Sequence, residues 1–150
     1  MLAEIFDRFV SIEECYEFML AYAAQGLTSD EGNESGRQLR RFLHRAVEAL
    51  SGLAARCETA IREDRRTEGD QFAAFLAVLN RDARDSLAAI RLVLAQPVIS
   101  SQLIDNLNAS MHLRALLTDT FLLGEVFRTH RAAANQTARV LSTADTSPQT

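Results

Sequence analysis

The chain has 150 residues, a net charge of −4 and a hydrophobic content of 47%. This length suits one domain with one core, and the composition excludes an intrinsically disordered chain, which needs low hydrophobicity and high net charge. The six glycines, two prolines and absence of tryptophan argue against a β-sandwich or barrel, because those folds need many turns.

The charged residues narrow the possible partners and chemistry. All 16 basic residues are arginine, so no lysine is present for Schiff-base chemistry. A mildly acidic chain lacks the attraction that supplies most nucleic-acid affinity, and we expect no nucleic-acid partner. Residues 1–36 carry eight acids and one arginine, whereas residues 37–66 carry eight arginines and four acids. This asymmetry predicts that the first two long helices are neighbours.

The two cysteines and the hydropathy pattern predict a cytoplasmic protein. Cys15 and Cys57 are too few for a disulfide scaffold, and each falls on an apolar helical face, where a free thiol packs like a small hydrophobe. The first ten residues do not resemble a signal peptide. The sequence has no 18-residue uncharged apolar run, so we expect no membrane-spanning segment and no membrane partner.

Apolar residues recur at helical spacing along almost the whole chain. This pattern predicts an all-α fold, a four-helix antiparallel bundle with a short extra N-terminal helix. The bundle domain is expected over residues 1–136 and a disordered C-terminal tail over residues 137–150. The predicted helices are a short one before Ser11 and four longer ones at 11–26, 35–66, 67–96 and 100–135.

Capping residues and helix breakers place the ends of these helices. Ser11 and Ser35 each begin a capping-box pattern, and Gln96-Pro97 ends the third long helix because proline disfavours helical geometry in the residue before it. Ser100 or Ser101 caps the last helix. That helix has apolar residues on two faces, which indicates either a kink near residues 108–110 or burial on several sides.

Polar residues on the last helix are the candidate ligand or metal residues. The set comprises His112, Asp119, Glu125 and His130, with Tyr16 and Tyr22 on the first long helix as further contributors. Asp119 lies seven residues from His112, about 10.5 Å along a helix, so a site would need another helix. The sequence has no His-Glu-x-x-His motif, phosphate loop or nucleophile elbow. We therefore assign no catalytic residue, and the residues do not identify a metal or cofactor.

An apolar excess on the last helix predicts an interface. Leu116, Leu123 and Phe127 continue a stripe beyond what one core face requires, and contiguous apolar surface marks a contact site. Symmetric pairing of two copies would cover such a stripe. We therefore expect a homodimer, with a further protein partner possible.

Three functions follow from these observations. The first is a non-enzymatic helical interaction protein, such as an adaptor, assembly factor or regulator, acting as a homodimer. The alternative is a bundle that binds a metal ion or small ligand in its interior through the polar residues of the last helix, with or without catalysis. The third is the ligand-sensing domain of a regulator that signals through a partner, since no DNA-binding helix-turn-helix is recognisable.

Overall fold

Helices form all the regular secondary structure in residues 2–63 and 69–145, the part of the chain described by a computed structural model. The predicted all-α class is confirmed. The described ranges contain six helices: α1 (Leu2–Ala24), α2 (Glu34–Leu50), α3 (Leu53–Glu63), α4 (Asp70–Leu94), α5 (Ser101–Asn108) and α6 (Met111–Ala144).

α1 is one continuous helix where the sequence predicted two. Ser11 lies inside it, and the Ser11 hydroxyl donates a hydrogen bond to the Asp7 carbonyl at 3.0 Å, a bond that occupies the side chain within a helix. The short N-terminal helix is therefore part of α1. The apolar stripe passes through Ser11 without a break, and the buried residues of α1 are Ile5, Phe9, Ile12, Cys15, Met19 and Tyr22.

The predicted helix over residues 35–66 is divided into α2 and α3. The chain turns at Gly52, whose φ of +69° lies in the left-handed region that favours glycine. α2 also begins earlier than predicted, because Asn33 rather than Ser35 is its N-cap. The Asn33 Oδ1 accepts a hydrogen bond from the Gly36 amide at 2.7 Å, which satisfies one of the free amides of the first turn.

Arg8 of α1 binds the C-terminal end of α2. Its Nη1 donates hydrogen bonds to the carbonyl oxygens of Glu48, Ala49 and Ser51 at 3.0, 3.1 and 3.2 Å. The last carbonyls of a helix have no partner within the helix, and a cation there also complements the helix dipole. The start of α1 therefore stabilises the point at which α2 ends.

α4 ends close to the predicted position. It stops at Leu94, shortly before Gln96-Pro97, as the sequence predicts. The predicted start of this helix at Thr67 lies outside the described residues. The preceding helix is predicted to end within residues 62–66, and α3 is described as far as Glu63.

The last predicted helix is broken at Ala109, which confirms the kink that the sequence left as one of two alternatives. Ser100 caps α5, and its Oγ accepts a hydrogen bond from the Leu103 amide at 3.1 Å. Ser110 caps α6 and accepts from the Leu113 amide at 3.4 Å. Each segment thus has its own N-terminal serine cap.

α6 extends beyond the predicted domain boundary at residue 136. The sequence predicted a disordered tail over residues 137–150, whereas α6 continues to Ala144. Residues 146–150 of that tail lie outside the described residues. Residues 137–144 contain no glycine or proline, the two residues that most oppose a helix, so no helix breaker ends α6 at residue 136.

α1 packs against α2, α3, α5 and α6, while α4 packs against α2, α3 and α6. One apolar core joins these helices. None of the described helices has both the length and the hydropathy needed to cross a bilayer. Because α6 contacts both α1 and α4, two of its faces are covered within a single chain.

Hydrogen bonds tie the end of α1 to the segment before α5. The Tyr22 hydroxyl donates to the Ile99 carbonyl at 2.7 Å, and the Ser101 hydroxyl donates to the Tyr22 carbonyl at 2.6 Å. The Ile99 amide donates to the Asp30 carboxylate at 2.6 Å. Burial alone would raise the pKa of Asp30, but the Arg40 guanidinium and the Ile99 amide hold it below the usual value for aspartate.

Candidate functional site

The contact between α4 and α6 contains three of the four candidate ligand residues. His112 at the start of α6 places its Nδ1 3.8 Å from an Asp85 carboxylate oxygen. Farther along α6, the His130 ring lies 6.1 Å from the ring of Phe72. Residue numbers rise along α6 as they fall along α4, so the two helices run antiparallel.

Asp119 lies between these two contacts, on the buried side of α6. It is 5% exposed, and its Oδ2 has no hydrogen-bond partner among the described residues. Burial, a hydrogen bond to Asp82 of α4 and the charge of Asp82 raise the pKa of Asp119 to about 8. Two close carboxyl groups cannot both ionise easily, so the pair favours a state that holds one proton.

The remaining candidates do not join Asp119. Glu125 is exposed on the side of α6 that faces α1, with its carboxylate 3.6 Å from the Arg128 guanidinium. The Tyr22 hydroxyl is occupied by the Ile99 carbonyl. Within the described ranges, no three His, Cys, Asp or Glu residues are grouped so that they could hold a metal ion. The interior site predicted from His112, Asp119, Glu125 and His130 is therefore not assembled in this structure.

The three residues predicted to form an interface are in the core of the chain. Leu116, Leu123 and Phe127 are 0%, 3% and 1% exposed, and the Phe127 ring packs edge-on against Phe6 of α1 at 6.5 Å. The two apolar faces of α6 that suggested a second subunit are covered by α1 and α4. These three side chains are consequently unavailable to a partner.

Other apolar side chains of α6 are exposed. Leu122 and Val126 are 52% and 37% exposed, and they lie along a groove of about 340 Å³ between α4 and α6. We call this the α4–α6 groove. Its lining is apolar apart from one glutamine side chain, and consists of Gln71, Phe72, Phe75, Leu122, Leu123 and Val126.

A second exposed feature is the C-terminal part of α6. Every residue from Arg131 to Asp145 is exposed except Ala134, which is half-buried. We call residues Arg131–Ala144 the projecting end. Because α4 begins at Asp70, near the level of His130, the projecting end extends about 20 Å past α4 at 1.5 Å per residue.

The buried stripe of α6 continues along the projecting end. Its positions alternate in steps of three and four residues, the spacing of a helix that packs along another helix. The first five positions, which are buried in the chain, are Leu113, Leu116, Thr120, Leu123 and Phe127. The later ones are His130, Ala134, Thr137, Leu141 and Ala144, of which the last three are exposed.

The sequence did not predict the α4–α6 groove or the projecting end, and the reason is the same for both. The sequence shows that α6 is apolar on several sides but does not show where its neighbours end. The regular spacing of His130, Ala134, Thr137, Leu141 and Ala144 could have indicated that the helix continues. However, alanine and threonine are only weakly hydrophobic, so these positions hardly differ from the residues between them.

Comparisons of this chain with protein-family models, curated proteins and solved structures gave no match.

Proposed function

We propose that this protein is a non-enzymatic helical interaction protein that acts as a homodimer, in the role of an adaptor, assembly factor or regulator. The supporting observation is the continuation of the buried stripe of α6 into the projecting end, where Leu141 is 66% exposed. The surface proposed here differs from the interface predicted from the sequence, since Leu116, Leu123 and Phe127 pack inside the chain. The pairing surface is assigned to the exposed part of the same helix.

The physical argument concerns the exposure of this helix. A segment of about 14 residues is marginal as a helix in water when its apolar side chains are left exposed. Packing of its apolar stripe against another helix would stabilise it. Val140 and Leu141, at 62% and 66% exposed, are the largest apolar side chains that such packing would remove from water.

The proposed scaffold is an antiparallel bundle whose four long members are α1, the α2–α3 pair, α4 and α6. We place it in the cytoplasm, because Cys15 and Cys57 are free and buried and a reducing compartment keeps such thiols reduced. In this proposal the bundle body holds α6 in position, and the projecting end makes the contact with the second copy.

Light scattering coupled to size-exclusion chromatography tests the proposal at micromolar protein concentration. We expect a dimer for the unchanged protein and a monomer for Leu141→Asp. The matched control is Leu92→Asp on α4, because Leu92 is also 66% exposed but lies far from the projecting end, and this variant should remain a dimer. A monomeric unchanged protein, or equal behaviour of the two variants, would contradict the proposal.

A second candidate function is the binding of a cation or small polar ligand between α4 and α6. It is supported by the buried Asp119 Oδ2, which has no partner among the described residues, next to the carboxyl group of Asp82. Carboxylate oxygens are ligands for hard cations such as Ca²⁺. Thermal unfolding with and without added Ca²⁺ or Mg²⁺ tests it, since a bound ion raises the melting temperature and Asp119→Asn should abolish that increase.

A further inference from the structure

We infer that the projecting end of α6 in one copy occupies the α4–α6 groove of a second copy, and that the reciprocal contact forms at the same time. This inference rests on the proposed homodimer and specifies its geometry. The two α6 helices pair antiparallel about a two-fold axis near Ala133, with Val126 of one copy opposite Val140 of the other.

The first argument is a face of α6 that carries no Arg, Asp or Glu from Leu122 to the end of the helix. At about 100° per residue, five side chains fall within about 20° of one line along the helix, and we call this line the uncharged face: Leu122, Val126, Ala133, Val140 and Ala144. The acidic and arginine side chains of the same stretch point at least about 80° away from that line. They are Glu125, Arg128, Arg131, Arg139 and Asp145. The uncharged face therefore suits contact with another helix.

The second argument is that this face joins the groove to the projecting end. Leu122 and Val126 line the groove, whereas Val140 and Ala144 belong to the projecting end. In a two-fold contact the same patch on each copy must complement itself. An axis at Ala133 places Val126 opposite Val140 and Leu122 opposite Ala144, and the small Ala133 side chain permits close approach at the centre.

The third argument concerns α4. In each copy α4 covers the buried stripe of α6 only as far as His130, which contacts Phe72. In the antiparallel pair, Leu141 of the second copy points to the same side as α4 of the first, towards Phe75. The two copies of α4 lie end to end and do not overlap. Each projecting end therefore packs against α4 of the other copy, as the buried part of α6 packs against α4 of its own chain.

The fourth argument is the size of the contact. Pairing of the two projecting ends alone would bury mainly alanine and threonine side chains, which is little apolar area for a stable interface of about 1,200–2,000 Å². The groove adds exposed or half-buried side chains of Phe72, Phe75, Leu122 and Val126 from each copy. The arrangement in which both grooves are filled thus covers the larger apolar surface.

Disulfide cross-linking tests the geometry. Val126→Cys and Val140→Cys are made as separate single variants and oxidised with copper phenanthroline, each alone and as an equimolar mixture. The native thiols should not form disulfides under these conditions, because burial raises the pKa of Cys15 and of Cys57 to about 12. Positions 126 and 140 of one chain are about 21 Å apart along α6, too far for an intrachain disulfide.

We expect the mixture to give a cross-linked dimer at a rate at least tenfold above that of either variant alone. Fast cross-linking of Val140→Cys alone would overturn the inference, because it would show the projecting ends paired with each other. In that case light scattering would still show a dimer, and the proposed function would stand. A monomer by light scattering, with no cross-linking in any sample, would overturn both.

Discussion

Asp119 on α6 and Asp82 on α4 share a hydrogen bond across the contact between the two helices. A hydrogen bond between two carboxyl groups requires a proton on one of them, so this contact depends on pH. It lies in the same helix pair as the α4–α6 groove. Ionisation of both groups would place two negative charges next to each other in a site with little water.

The free energy of unfolding should fall as pH rises from about 4 to about 8. The pKa of Asp119 is raised from 3.8 to about 8 in the folded protein, so between these values the native state holds a proton that the unfolded chain has released. Stability is lost as pH rises wherever the native state binds more protons. The contribution is therefore complete below about pH 4 and absent above about pH 8.

Urea denaturation across this pH window measures the effect, and Asp119→Asn should flatten the dependence because an amide does not titrate in this range. Asp30 does not interfere, because its pKa is lowered and its stabilising effect is lost only in more acidic solution. A steep slope that persists in Asp119→Asn would assign the dependence to another group.

Substitution by alanine should destabilise the protein at one helical glycine, Gly36, but not at another, Gly124. A Cβ added to Gly36 would overlap the backbone carbonyl of Asp30, so Gly36→Ala should destabilise the protein by about 1–3 kcal/mol despite the better helix propensity of alanine. At Gly124 a Cβ would meet Phe9 and Arg128 at an ordinary contact distance of 3.8 Å. Gly124→Ala should therefore be neutral or stabilise by up to about 1 kcal/mol. Urea denaturation of the two variants compares them directly.

Removal of the Arg8 guanidinium should destabilise the protein by about 1–3 kcal/mol, because carbonyl oxygens at the end of α2 lose a charged donor. Arg8→Met keeps much of the apolar stem, so it removes the hydrogen bonds to α2 together with the ion pair between Arg8 and Glu4. The matched control is Arg56→Met, since Arg56 is half exposed and its Nη1 binds Glu4 at 2.6 Å. An exposed ion pair contributes little, and the control should change stability by less than about 1 kcal/mol. Similar losses for both variants would show that the cap at α2 has no special role.

Ending the chain after Arg131 should abolish the proposed dimer and leave the rest of the chain folded. Of the deleted residues that the structure describes, 132 to 145, all except Ala134 are exposed, so their removal should uncover little of the apolar core. We expect a monomer by light scattering, with a urea midpoint that no longer depends on protein concentration. A truncated chain that remains a dimer would place the interface elsewhere.

The sequence predicted the parts of the fold that depend on local signals. Helical periodicity identified the all-α class, Pro97 marked the end of α4, and Ser100 capped α5 as one of two predicted choices. The break near Ser110 was also one of two alternatives. These features depend on neighbouring residues, which are visible in a single sequence.

The incorrect predictions have a common physical cause, since each concerns a feature that depends on a contact between distant parts of the chain. Ser11 has the spacing of a capping box, but burial of Phe9 and Ile12 on either side keeps α1 continuous. The turn at Gly52 is held by Arg8, which is more than 40 residues away in sequence. Phe127 was predicted to be an interface residue because the sequence does not show that Phe6 covers it.

The bonds around Ile99 also determine how the molecule would respond to proteolysis. The exposed turn at Glu31 and Gly32 is a natural point for a nick, and such a cut would divide the chain into a short and a long fragment. The short fragment would retain Tyr22 and Asp30, which bind the main chain of Ile99 in the long one. The two fragments should remain associated without a covalent link. Two peptides with the same ends, made separately, should therefore associate when they are mixed.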